Sequence, residues 1–269
     1  MAACHELPAG VLRALERAAE EESNPRAAAI LRQLIENARI AAQDEIPLCQ
    51  DTGLTVVFVE QGTTLAIAPA GAGRQTLLDA IQEGVRAGYE KGYLRKSIVA
   101  DPLKGRANTG TNAPAVVHLA TVPGDGLKLT VMAKGGGGEH KSLFRMFRPT
   151  AERDSIIDWV VDVVRQAGAD ACPPFIIGVG IGGNFEHSCL LSKRALVRDL
   201  RKGNRDPFYA QMERDLLERV NALGVGPQGL GGDTTALAVL IETAPCHIAS
   251  LPVAVNIECH SHRHKTAIL

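Results

Sequence analysis

Apolar residues recur at helical spacing through residues 8–42, first as Val11, Leu12, Leu15 and Ala18 and then as Ile30, Leu31, Leu34 and Ile35. That spacing predicts two amphipathic helices. Asn24 followed by Pro25 marks the start of the second, with Asn as the cap and Pro at the first helical position. The same periodicity predicts helices over Thr76–Tyr89 and Ala151–Ala167, one beginning after Glu186, and one from Asp206-Pro207 to Gly224. Between them lie strand-like runs at Leu54–Val59, Thr64–Ala68, Ala115–Leu119, Leu127–Ala133, Phe175–Val179, Leu237–Ile241 and Val253–Ile257. Several are short and continuously apolar, as strands covered on both faces are. Helices and strands interleave without a strict repeat. The fold expected is therefore α/β, a mixed α+β single domain over residues 1–269, with helices packed around short, largely buried sheets and a helical N-terminal part at about 8–42.

Composition narrows the function classes. The 269 residues are 45% hydrophobic and 22% charged, which suits a globular protein and not a disordered one. A net charge of -1 leaves no basic excess to displace counterions from phosphates, so nucleic acid is not an expected partner. No apolar run reaches the roughly 20 residues that cross a bilayer, and Met1–Gly10 lacks the charged-then-apolar pattern of a secretory signal. A cytoplasmic location and no membrane association are expected. In that compartment six cysteines read as thiols or metal ligands before disulfides.

Two glycine runs compete for attention. Lys134-Gly135-Gly136-Gly137-Gly138-Glu139-His140-Lys141-Ser142 follows a strand-like run, but His140 precedes Lys141 where a P-loop needs glycine. What remains is a stretch of unobstructed backbone amides flanked by lysines, which can approach an anion or a cluster closely or simply form a turn. Gly178-Val179-Gly180-Ile181-Gly182-Gly183 satisfies the dinucleotide fingerprint GxGxxG after a strand and before a helix. No strand ending in an acidic residue follows about 20 positions on, Asp199 falling in or after the helix. A nicotinamide-dependent oxidoreductase is kept as an alternative.

Three of the cysteines, Cys49, Cys172 and Cys259, sit in short polar or proline-marked loops. Cys172 followed by Pro is similar to the Cys-Pro end of ferredoxin cluster motifs. Cys189 lies in an apolar helical stretch and reads as core, Cys4 is at the terminus, and Cys246 stands between Pro245 and His247 without further pattern. Zinc is a rival, because Cys259, His260, His262 and His264 fall in one run, yet the close C-x₂₋₄-C pairs of structural zinc sites are missing. A non-catalytic metal-binding scaffold therefore also stands as an alternative.

Taken together, the motifs resemble the α-subunit, or N-terminal cluster-binding half, of the class I fumarate hydratases and the related L-tartrate dehydratases. The blocks that carry the resemblance are Cys49-Gln50-Asp51-Thr52-Gly53, Lys134–Glu139, Ala171-Cys172-Pro173-Pro174 leading into Gly178–Gly183, Gly226-Pro227-Gln228-Gly229, and Leu251–Asn256 before Cys259. They stand in the family's order and span nearly the whole chain.

The resemblance implies that Cys49, Cys172 and Cys259 hold a 4Fe-4S cluster whose open iron acts as a Lewis acid. It implies catalytic roles for Asp51 and His247 and substrate contacts from Gln50, Arg95 and Gly136 in a site for a small dicarboxylate. The reaction implied is reversible hydration of fumarate to L-malate, and the Lys134–Glu139 block is closer to the fumarate form than to the tartrate form, whose loop carries a cysteine. In single-chain relatives a further domain adds basic substrate-binding residues, whereas this sequence stops at Leu269, after the third cysteine motif. A separate β-subunit is thus expected as partner, with an α-α dimer inside a heterotetramer.

Overall fold

The structure, a computed structural model, describes residues 1–68 and 75–269. In chain order the elements are α1 (Ala2–His5), α2 (Ala9–Glu21), α3 (Pro25–Gln43), β1 (Leu54–Gly62), α4 (Leu77–Lys91), β2 (Val116–Val122), β3 (Leu127–Lys134), α5 (Gly136–His140) and β4 (Leu143–Phe147). They continue with α6 (Arg153–Ala167), β5 (Phe175–Gly183), α7 (Phe185–Ala195), α8 (Pro207–Asn221), β6 (Ala236–Cys246), β7 (Leu251–Glu258) and β8 (His264–Ile268). Asn24 caps α3 as expected, its Oδ1 accepting from the Arg26 amide at 3.0 Å. The mixed α/β class is as the interleaved periodicities predict.

The described residues fall into two compact units. The first comprises Met1–Leu7, Arg39–Gly136 and Arg263–Leu269, and the second Pro8–Ala38 and Gly137–His262. In the first, a four-stranded sheet has the order β2-β1-β3-β8. Strand β1 pairs parallel with β2 and antiparallel with β3, which pairs antiparallel with β8. Val57 and Val59 on β1 face Ile81, Val85 and Tyr89 on α4, so alternate strand positions meet one helical stripe. Helix α4 starts at a capping box in which Thr76 and Asp79 satisfy each other's amides.

The second unit is built on the sheet β4-β7-β5-β6. Strand β5 is central, parallel to β6 and antiparallel to β7. Its odd positions Ile177, Val179 and Ile181 join a core with Ile157, Val160 and Val164 of α6 and Met212, Leu216 and Val220 of α8. Its even positions, Gly178 and Gly180, face α7. Burying both faces of β5 is what its unbroken apolar run foretold.

One strand expectation is corrected. Thr64–Ala68 is turn and irregular backbone, because the chain folds back at the end of β1: Leu65 N donates to Gly62 O at 3.1 Å and Thr64 Oγ1 to Gly124 O at 2.9 Å. Side-chain bonding to nearby carbonyls outcompetes a ladder there. Edge strands β4 and β8 were not expected, since their mostly exposed residues carry little alternation.

Candidate functional site

In the first unit the loop Leu48–Gly53 is fixed from several directions. Leu48 N donates to Cys4 O at 2.9 Å, and Thr52 Oγ1 donates to the Arg95 carbonyl at 2.6 Å. The Tyr89 hydroxyl lies 2.6 Å from Thr52 O and 3.1 Å from Gly53 O. Burial pushes the Tyr89 pKa up to about 12, so it stays a donor at ordinary pH. Asn112, fully buried, gives its amide to Gly53 O at 3.0 Å and takes the Ser97 amide at 2.6 Å. Thus Cys49, Gln50 and Asp51 share a braced loop with the backbone around Arg95.

Asp51 is the hinge of this loop. Its Oδ1 accepts from Gly53 N at 2.9 Å and its Oδ2 from Gly136 N at 2.8 Å. The Gly136 amide, expected to meet a substrate carboxylate, therefore meets the Asp51 carboxylate here. Arg263, 1% exposed, donates through Nη1 to the Asp51 main-chain carbonyl. The Cys49 thiol donates to Gln50 Oε1 at 3.3 Å.

In the second unit Cys172 has a left-handed backbone, φ 57°, directly before Pro173. His260, the neighbour of Cys259, places Nδ1 3.1 Å from the Cys172 carbonyl. Gln228 Nε2 is 3.1 Å from the same nitrogen and donates to Pro173 O at 2.9 Å. The cysteine loops at 172 and 259 are thereby stitched together.

His247 is elsewhere in that unit. Cys259 follows Glu258, which pairs with Ile176 near the start of β5, whereas His247 follows Cys246, which pairs with Gly183 at its end. Seven strand residues at about 3.3 Å each put His247 on the order of 20 Å or more from the Cys172 and Cys259 end of the sheet. There its Nδ1 accepts from Ala249 N at 3.1 Å. Cys246, exposed beside it, donates to Ser250 O at 3.3 Å.

Packing gives the residues behind the zinc and nicotinamide alternatives other uses. His262 Nε2 lies 2.6 Å from Leu196 O, His260 is committed to Cys172, and His264 begins β8. Gly178 and Gly180 lie inside β5 and not in a phosphate-facing turn: a Cβ on either would stand 2.0 Å from a carbonyl of α7, that of Ser192 or Ser188. The fingerprint records close helix-to-strand packing.

An apolar cavity of about 390 Å³ lies in the first unit between α4 and the sheet, lined by Val57, Ala80, Gly84, Leu129 and Val131 among others. It holds none of the expected site residues, so it is not the candidate site. Cys4 borders it, and burial raises its thiol pKa as it does that of Cys189 on α7. Among the described residues, none of the six cysteines is disulfide-bonded.

The family model described as fumarate hydratase (fumerase) matches residues 1–268. The chain belongs to the fumarate hydratase family. Among similar proteins, one from Methanocaldococcus jannaschii, provisionally named L(+)-tartrate dehydratase subunit alpha, is 37% identical over 261 residues, covering 96% of this chain and 90% of that protein. The L(+)-tartrate dehydratase subunit alpha of Escherichia coli O157:H7 is 29% identical over 265 residues, covering 98% of this chain and 86% of that one. Its counterpart in Shigella sonnei is also 29% identical over 265 residues, with the same coverage.

This member of the fumarate hydratase family is a carbon–oxygen hydro-lyase chain of the α-subunit type. Its loop cysteines are a sulfur-only set, Cys172 exposed and Cys49 and Cys259 half-buried. Soft thiolates reachable from solvent suit an iron–sulfur cluster better than a hard ion. Sequence reasoning missed Tyr89, Asn112 and Arg263, and it did not foresee that Gln228 and His260 join the cysteine loops. Of these, Gln228 lay within a family block, and Arg263 follows the third cysteine closely. No helix among the described residues is long and apolar enough to cross a membrane.

Proposed function

We propose that the chain is the α-subunit of a 4Fe-4S hydro-lyase that interconverts fumarate and L-malate. The observation that carries this reading is the Asp51 carboxylate, held by two amides in the loop of Cys49, in a chain of this family. Cys49, Cys172 and Cys259 are the proposed ligands. Bound there, a 4Fe-4S cluster would supply an open iron as a Lewis acid toward a dicarboxylate substrate.

The chain's own residues have distinct tasks. Each Asp51 oxygen already accepts one amide hydrogen and keeps a second lone pair, so the carboxylate can take the proton of a water or substrate hydroxyl. Arg95 can grip a substrate carboxylate through two parallel hydrogen bonds, its backbone fixed by Thr52. Gly136 allows close approach of backbone, and Gln50, beside Cys49, offers an amide to the second carboxylate. His247, at the far end of the β5 sheet from Cys172 and Cys259, would enter a site as part of a second copy of the chain. An α-α dimer within a heterotetramer meets that requirement. The name subunit alpha among the relatives supports a separate β-subunit.

The test is anaerobic reconstitution of the chain with and without its β-subunit, assayed with L-malate and L-tartrate alongside iron analysis. Expected are about four irons per chain, turnover of L-malate by the complex, and little by the chain alone. Cys49→Ser, Cys172→Ser and Cys259→Ser should each lose iron, whereas Cys189→Ser should not. Full activity without a partner would sink the subunit assignment. The second reading, L-tartrate dehydration, is favoured by the names of the relatives, and a strong preference for tartrate would establish it.

A further inference from the structure

Arg263 is among the largest fully buried side chains of the described residues, and its environment is specific. Its main-chain carbonyl accepts from Ala133 N at 2.9 Å, which anchors it at the end of β3. From there the guanidinium reaches the Asp51 carbonyl through Nη1, while Nη2 occupies the space beside Gly135: a Cβ on Gly135 would lie 2.9 Å from it. The Gly53 backbone is equally tight, since at φ 75° a Cβ there would stand 2.6 Å from Lys134 O. The Cys49–Gly53 loop and the Lys134–Gly136 turn thus close on each other around one planar cation, with the Asp51 carboxylate bridging them to Gly136 N at 2.8 Å.

We infer that Arg263 is a positioning residue, acting through Asp51: it sets the register between the Cys49–Gly53 loop and the Gly135–Gly136 turn and so aims the free lone pairs of Asp51. A planar fork is suited to this, because one guanidinium can hold a carbonyl while filling the flat space over a glycine. The inference rests on the hydro-lyase reading for its catalytic meaning. It adds a residue whose role runs through Asp51. It also accounts for a glycine at 135, where a Cβ would press on the guanidinium at 2.9 Å.

The experiment has two arms on Arg263→Gln, Arg263→Lys and Gly135→Ala. In the chain without cluster or partner, hydrogen exchange of segments 49–53 and 133–137 should accelerate in Arg263→Gln, while segment 175–183 keeps its wild-type rate. In the reconstituted α/β complex, normalised to bound iron, the same variant should lose about 10–100-fold in kcat/KM for L-malate, the range seen when supporting contacts around a metal site are removed. Arg263→Lys, which keeps the charge and loses the fork, should recover part of it. Gly135→Ala displaces the guanidinium without removing it and should change both readouts in the same direction by less, which keeps the inference testable if Arg263→Gln fails to fold. Unchanged exchange in both segments, or wild-type kcat/KM per iron in Arg263→Gln, would overturn the positioning role. A wild-type complex inactive on both L-malate and L-tartrate would instead defeat the hydro-lyase reading, and the exchange arm would still judge the clamp.

Discussion

Gly135–Gly138 and Gly178–Gly183 look interchangeable as sequence, each a glycine run after an apolar strand, yet the fold uses them in opposite ways. In the first run the glycines give polar groups room: Gly135 leaves space for Arg263, and Gly136 offers its amide to Asp51. In the second they remove side chains so that main chain can meet main chain, with Ser188 O and Ser192 O of α7 pressed onto Gly180 and Gly178. Gly182 and Gly183 then turn the chain at φ 93° and 69° into α7, which Asn184 caps by accepting from His187 N at 3.0 Å. Missing Cβ atoms therefore mean a polar clamp in one place and a helix-to-strand contact in the other. Each run follows an apolar strand, and its spacing alone does not say what fills the space a missing Cβ leaves.

The comparison is broken most severely by filling the second run. Gly180→Ala puts a methyl 2.0 Å from a backbone carbonyl in a helix that cannot move without leaving β5, so overpacking should cost at least ~1–3 kcal/mol. Urea denaturation should show the lowered midpoint, and Gly178→Ala should behave alike. Wild-type stability in either would remove the packing account. The same account expects no saturable heat on titration with NAD, and tight binding would restore the dinucleotide reading.

A smaller effect is expected in the first run, where the lost contacts are polar. Asp51→Ala leaves the Gly53 and Gly136 amides without their acceptor and should cost ~1–3 kcal/mol, less if water enters. Urea midpoints of the chain measure it, and a drop equal to or larger than that of Gly180→Ala would reverse the proposed ranking. Activity should fall much further than stability, since the same carboxylate is assigned the proton.

The smallest effect concerns the ion pair just beyond the first run. Lys141 Nζ donates to Asp170 Oδ2 at 2.7 Å, and that bond, helped by the lysine charge, holds the Asp170 carboxyl below its ordinary pKa of 3.8. A lowered folded pKa means the contribution is complete above the unfolded value and is lost as pH falls below it. Followed by acid denaturation, Asp170→Asn should therefore be slightly less stable than wild type near neutral pH, and the difference should vanish as pH falls through the lowered Asp170 pKa. Since Asp170 is exposed, the difference should be slight. A growing difference at acid pH would contradict the sign.

Much of the fold was legible in the sequence because burial imposes periodicity. Helix α6, with Ile156, Ile157, Val160 and Val164 on one side, and strand β5, apolar on both faces, announce themselves. Edge strands β4 and β8 do not, since a strand with one partner and mostly exposed side chains leaves no alternation to read. Of the candidate site, Cys49, Asp51 and Gly136 were proposed from family blocks, and the fold joins the last two through one hydrogen bond. Arg263 and Asn112 were not, because a long-range hydrogen bond such as Asn112 to Gly53 leaves no spacing in the chain.

By itself, the sequence determined the α/β class and the positions of the main helices and strands, and its ordered motif blocks carried the family resemblance that implied a thiolate-bound cluster and a dicarboxylate. These follow from local periodicity and from ordered blocks of polar residues, both linear properties. Only the tertiary structure decided that Gly178 and Gly180 pack a helix, that His260 stitches Cys172 to the loop of Cys259, and that His247 lies across the sheet from them. Register and side-chain reach between distant segments decide such matters, and neither is written in the spacing of neighbours along the chain.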